Sequence, residues 1–574
     1  MRGGLPLLAL LLAGAILAPG AAAQGLAEEG EYFWEDPRPL SAGRGRFLSA
    51  LPLRGGFVAL WQESEAEEGG EGGSAWLSLA RFSEGRWESR RRFAGPFAYR
   101  GAEPILYSAA ASAEGRLALA VADGAELGRS SIEIFLSSDG GLSFSRAVDI
   151  TPEEPAVAPR IYPSASGGWI LFVAQGAGAA KPGAAAAAGL ADVQGSSLPI
   201  YYSSSPDGSA WAPLAPLLRE EEGLGLAFLP AAAPLPRPRG SPAPGPGRDL
   251  VAFQALTGGE RPSWQLYAKT SGDGGRTWSS ARRLTDFQDP VNRDKSGPEN
   301  YDNQRPSLGF VGGRLWLAWE RSLRGGSAQI YLAPFDDSGA LAPGADRVSS
   351  GAGACSDPQV LELQGQPGAL WYDTRRGGGG RVYMSRRRDA GWNEYEVSEN
   401  SGDASFGRAV ALGETVYALW QSGAAGAERI LVREPDRSVD PPRLSGLDFA
   451  PGRRSRAERA TIGVALPRDP SGIAGYSYVW GRDPAAEPPR KIGAVSSQTR
   501  LAQLADEDGP WYLAAAVQDF AGNWSSTARI RYDRKRRPPP PPILQRPETD
   551  ARGFLASNTF SVEWLPPEGE EAAG

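Results

Sequence analysis

The 574-residue chain contains no histidine, one cysteine and two methionines. Without histidine there is no Ser-His-Asp triad, no Cys-His dyad, no His-ligated zinc and no His-ligated haem. With Cys355 alone there is neither an intrachain disulfide framework nor a thiolate metal cage. Beyond the amino-terminal segment, no apolar run is long enough to span a bilayer. The formal charge of −7 speaks against a dedicated nucleic-acid binder. Any catalysis is left to carboxylates, tyrosine, arginine, lysine, serine or an oxygen-ligated metal, and no cofactor or metal is expected.

What is present is turn-rich but able to fold. Gly 74 and Pro 49 mark many turns, while 41% hydrophobic and 9% aromatic residues supply a sizeable core. At about 150 residues per domain the length suggests three or four units, fewer if one is a large repeat domain. Arg2, the apolar run Leu5 to Leu17 and Ala21-Ala22-Ala23 before Gln24 have the layout of a bacterial-like signal peptide over 1–23. This predicts export, secreted or to the periplasm or cell surface, without a membrane span.

A phrase recurs along the chain: turn residues ending in Gly, an apolar run often containing Trp, then a polar residue. It reads GGFVALWQ, GGRLWLAWE, GQPGALWY and GETVYALWQ, with weaker copies GRLALAVA, GGWILFVAQ and GRDLVAFQ. Taking the tryptophan position as marker gives Trp61, Val121, Ala174, Phe253, Trp319, Trp371 and Trp420, spaced by 60, 53, 79, 66, 52 and 49 residues. A four-stranded unit needs about 40–50 residues. The surplus sits in insertions such as the Ala/Gly-rich tract Gly176 to Gly195 and the Pro/Arg-rich loop Arg237 to Arg248. Each phrase is followed by a second alternating segment and a turn, for example QLYAKTSGDGGRTW and IEIFLSSDGGLSF. Period-two alternation indicates half-buried strands, and short strands at even spacing indicate radial repetition. No long 3.6-residue periodicity occurs.

SGDGGRTW, Ser271 to Trp278, resembles the Asp-box (BNR) motif of the sialidase-like β-propellers. SSDGGLSF, Ser137 to Phe144, is similar, and SPDGSAW, Ser205 to Trp211, is one residue shorter. The resemblance covers roughly Tyr32 to Arg437 and implies a seven-bladed, alternatively six-bladed, propeller over 24–437. In such a box the Asp carboxylate accepts N–H groups of its own turn and Gly supplies positive φ. Ser137, Asp139, Gly141, Phe144, Ser205, Asp207, Trp211, Ser271, Asp273, Gly275 and Trp278 are therefore structural, on outer hairpins, with the aromatic tucked back into its own blade. The orphan segment Glu31-Tyr32-Phe33-Trp34 is expected to complete the last blade and close the ring.

Past Pro441-Pro442, strands are expected at Ala460 to Ala465, Gly475 to Trp480, Trp511 to Gln518 and Ala528 to Tyr532. SGIAGYSYVW and DGPWYLAAAVQDFAGNWSS resemble bacterial fibronectin type III or Ig-like modules, implying a β-sandwich over 441–533. A basic run and five prolines form a stiff linker, 534–546. The remainder, 547–574, reads as an incomplete second module or a disordered tail. The whole is all-β.

In a propeller the innermost strands ring one mouth. Counting fourteen residues back from each marker reaches Phe47, Tyr107, Arg160, Arg305, Asp357 and Phe406, with the fourth unit obscured by its insertion. Arg408 lies two residues beyond Phe406, on the same strand face. Three arginines and an aspartate on one rim form an anion-site pattern, so Arg160, Arg305, Arg408, Asp357 and Tyr107 are the expected ligand-binding residues. The family resemblance implies a further possibility: an arginine triad of Arg160, Arg305 and Arg408, Asp357 as acid, and Tyr301 with Glu299 as nucleophile pair. The family places its first arginine in the opening blade, whereas PRIYPS, around Arg160, falls in the third. Asp289, Asp294, Glu299 and Asp302 crowd the loop Asp286 to Asn303 without EF-hand spacing and read as a solvated acidic loop. Three functions stay open: a non-enzymatic recognition protein binding a glycan, another anionic ligand or a protein at the mouth; a sialidase-type glycoside hydrolase; and a structural envelope scaffold.

Overall fold

The computed structural model describes residues 32–565, interrupted chiefly at 67–71, 101–106, 176–198, 237–246, 258–262, 286–300, 537–542 and 556–562 and at shorter gaps. The signal-peptide segment, the Ala/Gly-rich tract and most of the acidic loop lie outside the described residues. No α-helix occurs among the described residues, and no helix is long and apolar enough to cross a membrane. The chain divides into one unit of residues 35–435 and a second built mainly from 436 onward.

Among the described residues, the larger unit forms seven antiparallel sheets, six of four strands and one of five. In chain order their first strands are Gly45–Leu53, Tyr107–Ala111, Ala156–Pro163, Ala227–Leu235, Tyr301–Val311, Cys355–Leu363 and Ala404–Leu412. We number the sheets 1 to 7 accordingly. Each first strand touches that of the next sheet, and the first strand of sheet 7 touches that of sheet 1. The repeated phrase forms the second strand of each sheet, as at Gly56–Ala66 and Gln366–Asp373. Every marker is buried, Trp61, Trp371 and Trp420 completely. The indole N–H groups are satisfied internally: Trp61 donates to Glu63 at 3.0 Å and Trp319 to Asn303 at 2.8 Å. The phrase is thus the core strand of each propeller-like repeat.

The first strands share a second device. In six of the seven the pairing register shifts at the same place, for instance between Arg46 and Ser49 and between Ser356 and Gln359. The residue at each bulge is non-glycine with φ between 49° and 54°: Phe47, Ala158, Leu229, Arg305, Asp357 and Phe406. Proline follows in four of them, a residue tolerated at bulges because it has no ladder N–H to lose. The polar residue ending the phrase explains how the left-handed backbone is held. Gln421 Oε1 accepts the Phe47 N–H at 3.1 Å, Gln254 Oε1 that of Arg305 at 2.8 Å, and Glu320 Oε1 that of Asp357 at 3.0 Å. Each of these bonds ties one sheet to the next around the cycle.

The ring-closing strand is not the segment expected. Arg38–Pro39 pairs with Val432 and Leu431 as the outermost strand of sheet 7. Leu40 and Ser41 continue the contact to Ile430. Only an edge position accommodates Pro39 this way.

The Ser-x-Asp turns join third and fourth strands. In the turn at Asp273, its carboxylate accepts the N–H groups of Arg276 and Thr277 and the Thr277 hydroxyl, while Ser271 Oγ accepts the Gly275 N–H at 2.9 Å. Asp139 and Asp207 repeat the arrangement, and so does Asp336 in a copy too altered to read from sequence. The aromatic of the turn does not return to its own sheet. Trp278 of sheet 4 packs on Phe172 and Tyr202 of sheet 3, and a Cβ on Gly275 would meet Ile170 at 2.7 Å. The turns therefore join adjacent sheets. Replacing Ser271, 2% exposed, by alanine strands the Gly275 N–H and is expected to destabilise the fold by about 1–3 kcal/mol. A thermal midpoint equal to that of the wild type would contradict this role.

The turns also respond to acid. Slight burial raises the Asp139 carboxyl, but the bonds from Ser143 and Ser137 outweigh it and hold it at about 2, below its ordinary 3.8. Because the folded value is depressed, this contribution is complete above pH 3.8 and is lost as pH falls toward about 2. Over that window the midpoint should fall less steeply in Asp139→Asn than in the wild type.

In the second unit a three-stranded and a five-stranded sheet share one core that includes Ile462, Tyr476, Leu501, Leu513, Val517 and Tyr532. Strands Arg459–Ala465, Ile473–Gly481, Gly509–Asp519 and Ala528–Arg534 lie where alternation placed them.

Candidate functional site

Four of the residues singled out in the sequence line one cavity of about 460 Å³: Arg160, Arg305, Asp357 and Arg408. That volume falls within the range of small-ligand sites. They arrive there by two registers. Arg305 and Asp357 are bulge residues themselves, whereas Arg160 and Arg408 stand two residues past the bulges at Ala158 and Phe406. Counting back therefore misplaced Arg160 by two positions: its register is that of Arg408, not of Arg305. In sheet 4 the bulge is Leu229, which lies 24 residues before Phe253 because the insertion lengthens the intervening hairpin.

Charges in the cavity are largely internally matched. Arg408 contacts both Asp357 oxygens, at 2.8 and 3.5 Å. Burial works against the Arg408 charge, but the Asp357 carboxylate outweighs it and holds the guanidinium more firmly protonated. Arg305 Nη1 lies 2.6 Å from Oε2 of Glu320, whose side chain is 4% exposed. Burial pushes the Glu320 carboxyl up, against the pull of Arg305 and of the Asp357 N–H. Arg160 is half-buried, and among the described residues no carboxylate lies within ion-pair distance of it.

Tyr107 does not join the cavity. It is 3% exposed, and its hydroxyl donates to the carbonyls of Phe47 at 2.6 Å and Leu60 at 2.9 Å. Burial, first of all, pushes that hydroxyl up. Tyr107 is a tie between sheets 1 and 2, placed where the other first strands bulge. Glu299 lies outside the described residues. Tyr301 opens the first strand of sheet 5 opposite Leu323, four residues before Arg305. Asp302 accepts the Trp264 N–H at 2.9 Å, a structural contact.

Other cavity residues went unremarked in the sequence. Tyr162 lies on the same strand face as Arg160, and its hydroxyl donates to the Pro230 carbonyl at 2.8 Å. Gln359 stands two residues past Asp357 and bonds both the N–H and carbonyl of Ala409, linking sheets 6 and 7. Tyr372 closes the phrase of sheet 6, at the position where five of the other six copies carry Gln or Glu. Its ring lies so close over Gly380 that an added Cβ would come within 1.7 Å. Two-residue periodicity from the chosen arginine and aspartate would have found the first two.

In the second unit, Asp436, Asp469 and Asp519 bring carboxylate oxygens within 4.8 Å of one another. Asn523 donates to Asp519 at 2.8 Å and to Asp436 at 3.2 Å. Burial, then the neighbouring Asp436 and Asp469, raise the Asp519 carboxyl. Among the described residues this is the set whose oxygens could share a hard cation.

No family model and no curated protein matches the chain. Solved structures similar to it include an ulvan lyase of polysaccharide lyase family 25, at 12% identity and TM-score 0.34, covering 76% of this chain and 92% of that one. A Hadza microbial sialidase is similar at 15% identity and TM-score 0.32, covering 78% and 81%. An α-L-arabinofuranosidase from Lactobacillus brevis is similar at 11% identity and TM-score 0.30, covering 50% and 90%.

Proposed function

We propose that this chain is an exported, non-enzymatic recognition protein: a seven-bladed Asp-box β-propeller that binds an acidic glycan at its mouth, followed by a fibronectin III-like β-sandwich acting as spacer. The observation carrying this reading is the shared cavity of Arg160, Arg305, Asp357 and Arg408, contributed by four different sheets. Tyr162, Tyr372, Phe406 and the bulge prolines add apolar faces to it. Guanidinium groups for an acidic substituent beside aromatic and proline surfaces for ring faces suit a sugar carrying a carboxylate.

The carboxylates argue for binding over turnover. Asp357 is engaged by Arg408 and Glu320 by Arg305, so both are committed to holding cations. Tyr372, a half-buried phenol lining the cavity, is raised by burial and by Asp403 and Asp373, opposite to what an attacking phenolate needs. Convergence of the three arginines favours a second reading, a sialidase-type hydrolase. Assaying a fluorogenic sialoside separates them: we expect no turnover, and turnover that vanishes in both Arg305→Ala and Asp357→Asn would establish the hydrolase instead.

A further inference from the structure

We propose that Asp357 sets the charge selectivity of the mouth: by occupying Arg408 it restricts the site to ligands presenting one negative charge, which Arg160 receives. The inference rests on the recognition reading above and names its ligand class, a glycan bearing a single uronic-acid carboxylate.

The charge balance carries it. Three guanidinium groups reach the cavity, enough in number for a multiply sulfated or multiply carboxylated chain. Two are already answered within the protein. Asp357 takes Arg408 through both oxygens, the two-pronged geometry a ligand carboxylate would otherwise adopt. Glu320, buried on the adjoining strand, takes Arg305. A second ligand anion near Arg408 would have to displace Asp357 or lie beside it, and like charges at contact distance repel. Arg160 has no such counter-ion among the described residues, and its neighbour Tyr162 is neutral and anchored to Pro230. The bulge fixes this arrangement, because the Asp357 N–H is held by Glu320 at 3.0 Å and the side chain leaves a backbone it cannot readily relax. Asp357 therefore acts as a built-in anion, and replacing it with a neutral isostere should expose the Arg408 charge.

Titration calorimetry of the full chain with three tetrasaccharides tests this, their non-reducing ends being glucose, glucuronate or 2-sulfated glucuronate. The wild type should bind the glucuronate form more tightly than both the neutral and the sulfated forms. Arg160→Gln should reduce glucuronate binding about tenfold or more, to the level of the neutral sugar, as expected for loss of one charged hydrogen-bonding partner. Asp357→Asn should improve the sulfated ligand about tenfold relative to the glucuronate form by the same measure. Should Asp357→Asn fail to fold, the wild-type ranking decides, because preference for the doubly charged sugar overturns the inference. An unchanged ranking in a folded Asp357→Asn, or undiminished glucuronate binding by Arg160→Gln, overturns it while leaving mouth recognition standing. Heat from none of the three sugars overturns the recognition reading and this inference together.

Discussion

Replacing Trp371 by alanine is expected to destabilise the 35–435 unit by about 3–5 kcal/mol, the range for deleting a large buried aromatic. The side chain is completely buried, and its cluster draws on Ala318, Ile330 and Leu332 of sheet 5 as well as Val360, Ala369 and Tyr383 of its own sheet. Tyr383 stacks on it at 6.3 Å between ring centroids. The indole N–H donates to Asp373 Oδ2 at 3.2 Å, an oxygen that also receives Cys355 Sγ at 3.2 Å and Arg375 Nε at 2.8 Å. Truncation would thus open a void between two sheets and remove one donor from a buried carboxylate. Strands on both sides are fixed by their own ladders, so collapse can only be partial. Trp371→Phe, which keeps most of the packing but loses the donor, should cost about 1–2 kcal/mol, less than the alanine variant. Calorimetry of the full chain reads both, and an alanine variant within about 0.5 kcal/mol of wild type would show that the repeat core is not where the stability resides.

The second large effect is expected from removing the closing strand. A chain beginning at residue 43 loses the pairing of Arg38 and Pro39 with Val432 and Leu431. It also loses the Leu40 N–H bond to Ile430 at 2.8 Å, the Ser41 Oγ that accepts the Ile430 N–H at 3.0 Å, and the Glu35 N–H bond to Glu434 at 2.9 Å. Leu40, 8% exposed, leaves a cluster containing Trp61, Ile430 and Val432. At about 1 kcal/mol per bond and about 2 for the leucine, the loss comes to roughly 5 kcal/mol. Strand Arg429–Arg433 would then be a bare edge, a template for pairing with another molecule. Light scattering after size exclusion should show concentration-dependent association together with a lowered unfolding midpoint. A truncated protein that stays monomeric with an unchanged midpoint would place the closure elsewhere.

Both predictions depend on features differing in how far local sequence reveals them. The Trp371 position is legible because burial on both faces of a short strand demands an unbroken apolar run, and that run recurs seven times. The closing strand is not, because Pro37 and Pro39 read locally as non-strand, and only an edge position within a sheet built from both ends of the unit tolerates them. The turn at Asp336 escaped for a related reason: the carboxylate bonding survives although the surrounding residues no longer match the pattern.

By itself the sequence indicated the all-β class, the recurring strand phrase, the turn chemistry of Asp139, Asp207 and Asp273, and the chain segments that carry Arg160, Arg305, Asp357 and Arg408. These follow from short-range rules, period-two burial and backbone bonds closed within a few residues, that need no knowledge of distant partners. Only the tertiary structure decided that Arg160 and Arg408 share a register past the bulge, that Tyr107 is consumed by two carbonyls, and which arginines already have a carboxylate. Those outcomes depend on contacts that local patterning does not encode: Tyr107 with Phe47 and Leu60, Arg408 with Asp357 of the neighbouring sheet, and Arg305 with Glu320 across its own hairpin. One extra residue at a bulge re-aims every side chain beyond it.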